Sequence, residues 1–532
     1  MDEKLFYNGT IITMEKELTT EAVFIKDGII EKVGTKEYVM KSKSDYTEMI
    51  DLKGKTLLPA FIDPHSHLSA FASTLRLVPL NEAISFQDII QKIKQFKENH
   101  PLKPGDWIIG FGYDHNNLEE KSHPDRHVLD KASTDNPILI SHASGHMGVL
   151  NTSGLREMNI TGTSIDPEGG KIGRENDNND PSGYMEENAF INLSSTLPRP
   201  SLEDLCNQME EAQAIYFSCG IATAQEGIMK DQEFHILKKM ADEKRLLIDL
   251  IGYVDLKNNH QLTKHTEYVK KYQNRFKIGG YKIFLDGSPQ GKTAWMSEPY
   301  ENSEDGYKGY PAYQNEEVEE LIRTALDEDM QLLTHCNGDA AAEQLITSYQ
   351  KMLDKAQRHT NLRPVMIHAQ TVRNDQLDRM EPIGMIPSFF VEHTYFWGDT
   401  HIQNLGKERA FKISPVKSAI DKGLIYTLHQ DTPVVPPDMM HTIWSAVNRL
   451  TKSGVAIGES EKVTALEAIR GITINAAYQY FEEDKKGSIK EGKLADLIIL
   501  DKNPLETEPM TLKDIQILQT YKEGKSVYTK MR

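Results

Sequence analysis

The chain has 532 residues, 39% of them hydrophobic, and a formal charge of −18. That length exceeds the roughly 250–300 residues at which a single core stops growing, so more than one structural unit is expected. No run approaches the ~18 apolar residues of a membrane span, and the negative charge opposes nucleic-acid phosphates; the expected partner is a small molecule, with neither nucleic acid nor membrane. Cys206, Cys219 and Cys336 are too few and scattered for a disulfide framework, and the acidic, strand-like start Met1–Asn8 lacks a secretory pattern, so residence in the cytoplasm is the expectation.

Short runs of strand-forming residues at 5–7, 10–14, 22–26 and 29–33 flank Asn8-Gly9 and Asp27-Gly28, which supply tight-turn chemistry. The C-terminal end has the same texture at 495–500, 515–521 and 526–528, so a β-sandwich formed by both termini, residues 1–58 with 485–532, is expected. Between them, apolar strands alternate with helical patterns, the signature of parallel βα units. Eight strands are read at 60–63, 221–224, 247–254, 280–285, 331–335, 365–368, 385–390 and 425–431. The fold class is therefore α/β, a TIM (β/α)8 barrel over 59–484. Ahead of strand five, Val318, Leu321, Ile322, Ala325 and Leu326 form one apolar helix face, and Ser201 with Asp204 caps an earlier helix. Roughly 150 residues separate strands one and two, far more than a βα unit needs, so an inserted α/β subdomain is expected at about 70–200, with a helix at 86–96 and strands at 107–111 and 138–141.

The most chemical stretch is Phe61-Ile62-Asp63-Pro64-His65-Ser66-His67. Alternate residues of a strand share a face, so His65 and His67 can address one ion, and imidazole suits zinc. His335, His368 and Asp431 end strands five, six and eight, the barrel face on which TIM-barrel sites gather. Lys282 is a cation inside an apolar strand, where desolvation favours the neutral amine; pairing with Asp286 or another buried carboxylate is the plainer expectation.

These motifs resemble the amidohydrolase superfamily, and specifically the amidohydrolase family 3 branch that contains the N-substituted formamide deformylases. The resemblance runs from Leu57–His67 to Lys486–Ile498 and takes in Gly112-Tyr113-Asp114-His115, Gly145–Asn151 and Lys282–Ser288. It implies that His65, His67 and Asp431 hold one metal and His335 and His368 a second, with a carboxylated Lys282 bridging two zinc ions; manganese, cobalt, nickel or iron are alternatives. It further implies hydrolysis of a non-peptide C–N bond, that of an amide or N-substituted formamide, by a metal-activated hydroxide, with Asp431 as the proton acceptor. Cyclic amide opening, N-acyl amino acid hydrolysis, deamination and a catalytically silent metal-binding regulator are the competing readings, and a homodimer is left open. Tyr113, Asp114, His146, Trp295 and His393 are the candidate substrate contacts, with His115, Phe389 and Trp397 beside them. One departure stands out: the branch usually carries glycine-serine-aspartate at strand eight, and this chain has His429-Gln430-Asp431.

Overall fold

The computed structural model describes residues 2–100, 102–175, 178–197, 200–301, 303–356 and 361–531. The chain divides into two compact units, 1–71 with 209–532, and 72–208.

In the first unit, eight parallel strands pair in chain order: Phe61–Ile62, Ile221–Met229, Asp249–Asp255, Phe276–Phe284, Gln331–Cys336, Val365–His368, Ile386–Phe389 and Thr427–Leu428. The ring closes where His67 N–H donates to Thr432 O at 2.8 Å and Asp431 N–H donates to His65 O at 3.2 Å, joining the eighth strand's exit to the first's. This is a TIM-barrel fold. Its interior is filled by inward-pointing residues, Ile62, Ile251, Tyr253, Leu333, Val365, Ile367 and Ile386, and by Ala476, Ala477 and Tyr480 from beyond strand eight. The helix Asn315–Asp327 buries Val318, Ile322, Ala325 and Leu326 and exposes Glu316 and Glu320.

Strands one and eight are shorter than the sequence suggests. His65 and His67 follow the first strand instead of lying in it, because Pro64 has no N–H to donate to a ladder. Asp431 lies three residues past the eighth, at a left-handed φ of 57°. Strand two is longer and carries Gln225 and Glu226 to the same end of the barrel.

Both termini share one continuous hydrogen-bonded sheet of eight strands. Its order runs Lys525–Thr529, Ile517–Lys522, Leu497–Leu500, Thr56–Pro59, Glu3–Ile12, Thr19–Lys26, Ile29–Gly34, with Glu48–Asp51 added beside Glu3–Ile12. Alternation along the first strand sends Phe6 into a core with Val23, Ile25, Leu57, Leu497 and Ile499, while Leu5 and Phe24 pack against Val39 on the other face. Asn8-Gly9 is not a hairpin turn. It is an irregularity within Glu3–Ile12, with Asn8 at φ 63°, and Gly9 is required because a Cβ there would lie 2.3 Å from Lys55 O. Asp27-Gly28 does turn the chain, both residues having positive φ.

The second unit holds a six-stranded mixed sheet, ordered Gly170–Arg174, Pro181–Glu187, Met147–Leu150, Ile138–His142, Ile108–Tyr113, Leu77–Pro79. Its helix Phe86–Asn99, capped by Ser85, buries Ile89, Ile90, Ile93 and Phe96. Four of the six strands escape a reading by hydrophobic pattern, being short or rich in glycine and charge.

Candidate metal centre

At the C-terminal end of the barrel strands, side chains far apart in the chain meet. Asp431 Oδ1 lies 3.3 Å from His65 Nε2 and 3.1 Å from His67 Nε2, and Asp431 Oδ2 lies 4.0 Å from His368 Nε2. His368 Nε2 is 3.0 Å from His335 Nδ1, and Lys282 Nζ is 3.4 Å from His65 Nε2. All six residues named as ligands by resemblance are therefore in one cluster.

The hydrogen bonds around the cluster decide which atoms face it with lone pairs. Gln225 Nε2 donates to Pro64 O and to Tyr480 Oη, so its Oε1 must be the atom 2.6 Å from His65 Nδ1. An amide oxygen only accepts; His65 therefore carries its proton on Nδ1 and turns a bare Nε2 toward Asp431. His335 Nε2 lies 3.3 Å from Gly287 O and 3.1 Å from Asn337 Nδ2, so an acceptor and a donor both face it. Asp431 Oδ1 is buried and has no hydrogen-bond partner among the described residues, although two imidazole nitrogens are close to it. Lone pairs converging without a proton between them are what a cation satisfies, and nitrogen and carboxylate ligands suit a divalent transition metal.

Burial supports the same charge states. It brings His65 down to about 4 and His335 to about 3, and holds His368 well below the usual histidine value. Burial also brings Lys282 down to about 7. Lys282 does not pair with Asp286, whose carboxylate accepts instead from the backbone N–H groups of Asn337, Gly338 and Trp295. Left-handed backbone at His368 (φ 74°), Ala369 (φ 45°) and Asp431 (φ 57°) is the kind of local strain that packing must hold in place at a functional site.

The departure at strand eight gains a physical sense. His429 is fully buried, with Nε2 3.1 Å from His368 Nδ1 and Nδ1 2.8 Å from Ser388 Oγ, so a third imidazole braces His368. Gln225, Glu226 and His429 escaped the sequence reading because a polar residue on a strand carries no periodic signal of its direction.

Among the substrate candidates of the first unit, His393 is buried, with Nδ1 3.0 Å from His401 Nε2, and packs on Phe390 and Trp397. Phe389 is wholly buried core, and Trp295 contributes its backbone to Asp286. In the second unit, Tyr113 belongs to the hydrophobic core, with its hydroxyl 3.0 Å from His123 Nδ1. Asp114 lies 3.5 Å from His142 and 3.8 Å from His115, and exposed His146 sits 3.0 Å from Glu187.

A family model described as "Amidohydrolase family" matches residues 48–528. YtcJ of Bacillus subtilis is 29% identical over 540 residues, covering 99% of each chain, and the N-substituted formamide deformylase of Arthrobacter pascens is 27% identical over 545 residues, covering 98% of each. A crystal structure of an uncharacterized metal-dependent hydrolase from Pyrococcus furiosus superposes with a TM-score of 0.75 at 24% identity, covering 95% of this chain and all of that one, and shows the same fold. Over nine-tenths of its length, the chain belongs to the amidohydrolase family.

Proposed function

We propose that this hydrolase is metal-dependent and cleaves a non-peptide C–N bond of a small amide, with an N-substituted formamide as the leading substrate class. His65, His67 and Asp431 hold one divalent ion and His335 and His368 the other; zinc is favoured by the nitrogen-rich ligands. Lys282 would complete the set: its neutral amine attacks carbon dioxide and releases one proton, giving a carbamate whose single negative charge is shared by two oxygens able to serve as metal ligands. The metal, when bound, supplies Lewis acidity toward the substrate carbonyl and lowers the pKa of water.

The protein's own part is positional. Asp431 faces the cluster as an ionised carboxylate, and it takes the proton of the attacking water and returns it to the departing nitrogen, without which an amide nitrogen leaves poorly. Gln225 and His429 hold His65 and His368 in the tautomers and orientations the cluster needs. The observation that carries this reading is the buried, unpartnered Asp431 Oδ1 between the two bare or closely facing imidazole nitrogens. The formamide preference is supported by full-length similarity to the Arthrobacter enzyme.

The test is metal analysis of the purified protein, followed by a panel of N-substituted formamides, other amides, cyclic amides, N-acyl amino acids and aminopurines, assayed for formate, other acids and ammonia. Two ions per chain and formate release support the proposal. Ammonia release, or acids without formate, moves the substrate to the corresponding class, and a protein that binds no metal overturns the reading.

A further inference from the structure

At the opposite end of the barrel from the metal centre lies a cavity of about 690 Å³, within the roughly 300–1,000 Å³ of small-molecule sites. It is bounded by residues near the N-terminal ends of the strands, among them Lys277 and Gln331, and by the segment that follows Ile474–Gln479. Four aromatic residues, Tyr253, Tyr272, Tyr480 and Phe481, contribute to its walls.

Charge in and around this cavity runs against that of the molecule. In a chain of formal charge −18, four lysines line it, against Asp329 and Glu482. Two of the four are occupied: Lys277 Nζ donates to Glu482 at 2.5 Å, and Lys270 Nζ donates to Asp329 O. Glu482 is neutralised further by Lys486, 2.9 Å away. Lys271 and Lys485 are exposed at the rim, and no described carboxylate pairs with either. A cavity with four aromatic residues in its lining and two unpaired cations at its rim is complementary to a molecule with an apolar body and an anionic head.

We propose that this cavity is a second binding site, remote from the metal centre, for a small organic anion such as an aromatic or aliphatic carboxylate, sulfonate or phosphate ester. The apolar body lies against the aromatic residues, and the anionic group is met by Lys271 and Lys485.

The test uses 8-anilinonaphthalene-1-sulfonate, an aromatic anion whose fluorescence rises on entering an apolar site, titrated into the full-length protein beside the uncharged N-phenyl-1-naphthylamine. Wild type is expected to bind one sulfonate per chain. Lys271→Glu with Lys485→Glu is expected to weaken that binding about tenfold or more while leaving the uncharged dye within twofold, and Lys271→Arg with Lys485→Arg is expected to retain it. Both lysines are exposed, so the variants should melt like wild type. Absence of saturable one-to-one binding, or equal affinity in wild type and the charge-reversed variant, overturns the proposal.

Discussion

At the scale of single residues, the centre depends on where protons sit. If Asp431 moves the proton, Asp431→Asn retains a ligand oxygen and much of the metal but lowers kcat by about 100-fold or more, with KM little changed. Steady-state kinetics on metal-assayed protein checks this, and undiminished kcat removes Asp431 from the role. Gln225 aims His65 only because its own amide nitrogen is held by Pro64 O and Tyr480 Oη, and Tyr480 Oη in turn donates to Asp63 O at 2.8 Å. Tyr480→Phe frees that amide to rotate and is expected to weaken zinc binding about tenfold, read by competition with a chromophoric chelator. Retained affinity would mean that Pro64 O alone fixes the amide.

At the scale of elements, the barrel works as a jig because its strands approach closely at chosen points. Gly280, in the strand that carries Lys282, faces Gln331 of the next strand so tightly that a Cβ would lie 2.1 Å from Gln331 O. Gly280→Ala must therefore push the two strands apart, at a cost of about 2 kcal/mol. Urea unfolding should show that loss, and a midpoint equal to wild type would mean the backbone relaxes freely there. The eight barrel strands were legible from the sequence because buried parallel strands read as apolar runs. Their ends were not: His65, His67 and Asp431 sit beyond the ladder, where hydrophobicity no longer reports conformation. Glu48–Asp51 and Thr56–Pro59 were missed because they are four residues each and are defined by pairing partners distant in the chain.

At the scale of the first unit, barrel and terminal sheet are tied by a buried ionic network. Asp249 accepts from Lys486 at 2.5 Å, Lys522 at 2.6 Å and Arg275 at 2.9 Å, and Lys522 also binds Asp496 at 2.7 Å. Burial alone would raise Asp249, but the three cations outweigh it and hold its carboxyl below the ordinary range. A depressed folded-state pKa contributes stability that is complete above the unfolded value near 4 and is lost as pH falls below it. Glu482, held down to about 2 chiefly by Lys486 and Lys277 against the effect of burial, acts in the same direction. Asp249→Asn removes the carboxylate that three cations share, each keeping a second one in Glu482, Asp496 or Glu523, and is expected to cost about 3 kcal/mol at neutral pH. It should also flatten the loss of stability below pH 4, measured as urea midpoints across pH 2.5–7; an unchanged acid limb would show that other carboxylates set it.

By itself, the sequence determined the alternation of strands and helices, the pairing of the two ends into one β-structure, the long insertion and the set of ligand-type residues, since each is written in local pattern or in residues whose chemistry has few uses. Which of those residues meet, which nitrogen of His65 is bare, why Lys282 does not pair with Asp286 and why His429 stands where glycine is usual were decided only by tertiary structure. These properties depend on distances and hydrogen bonds between residues up to several hundred positions apart, and no local pattern encodes them.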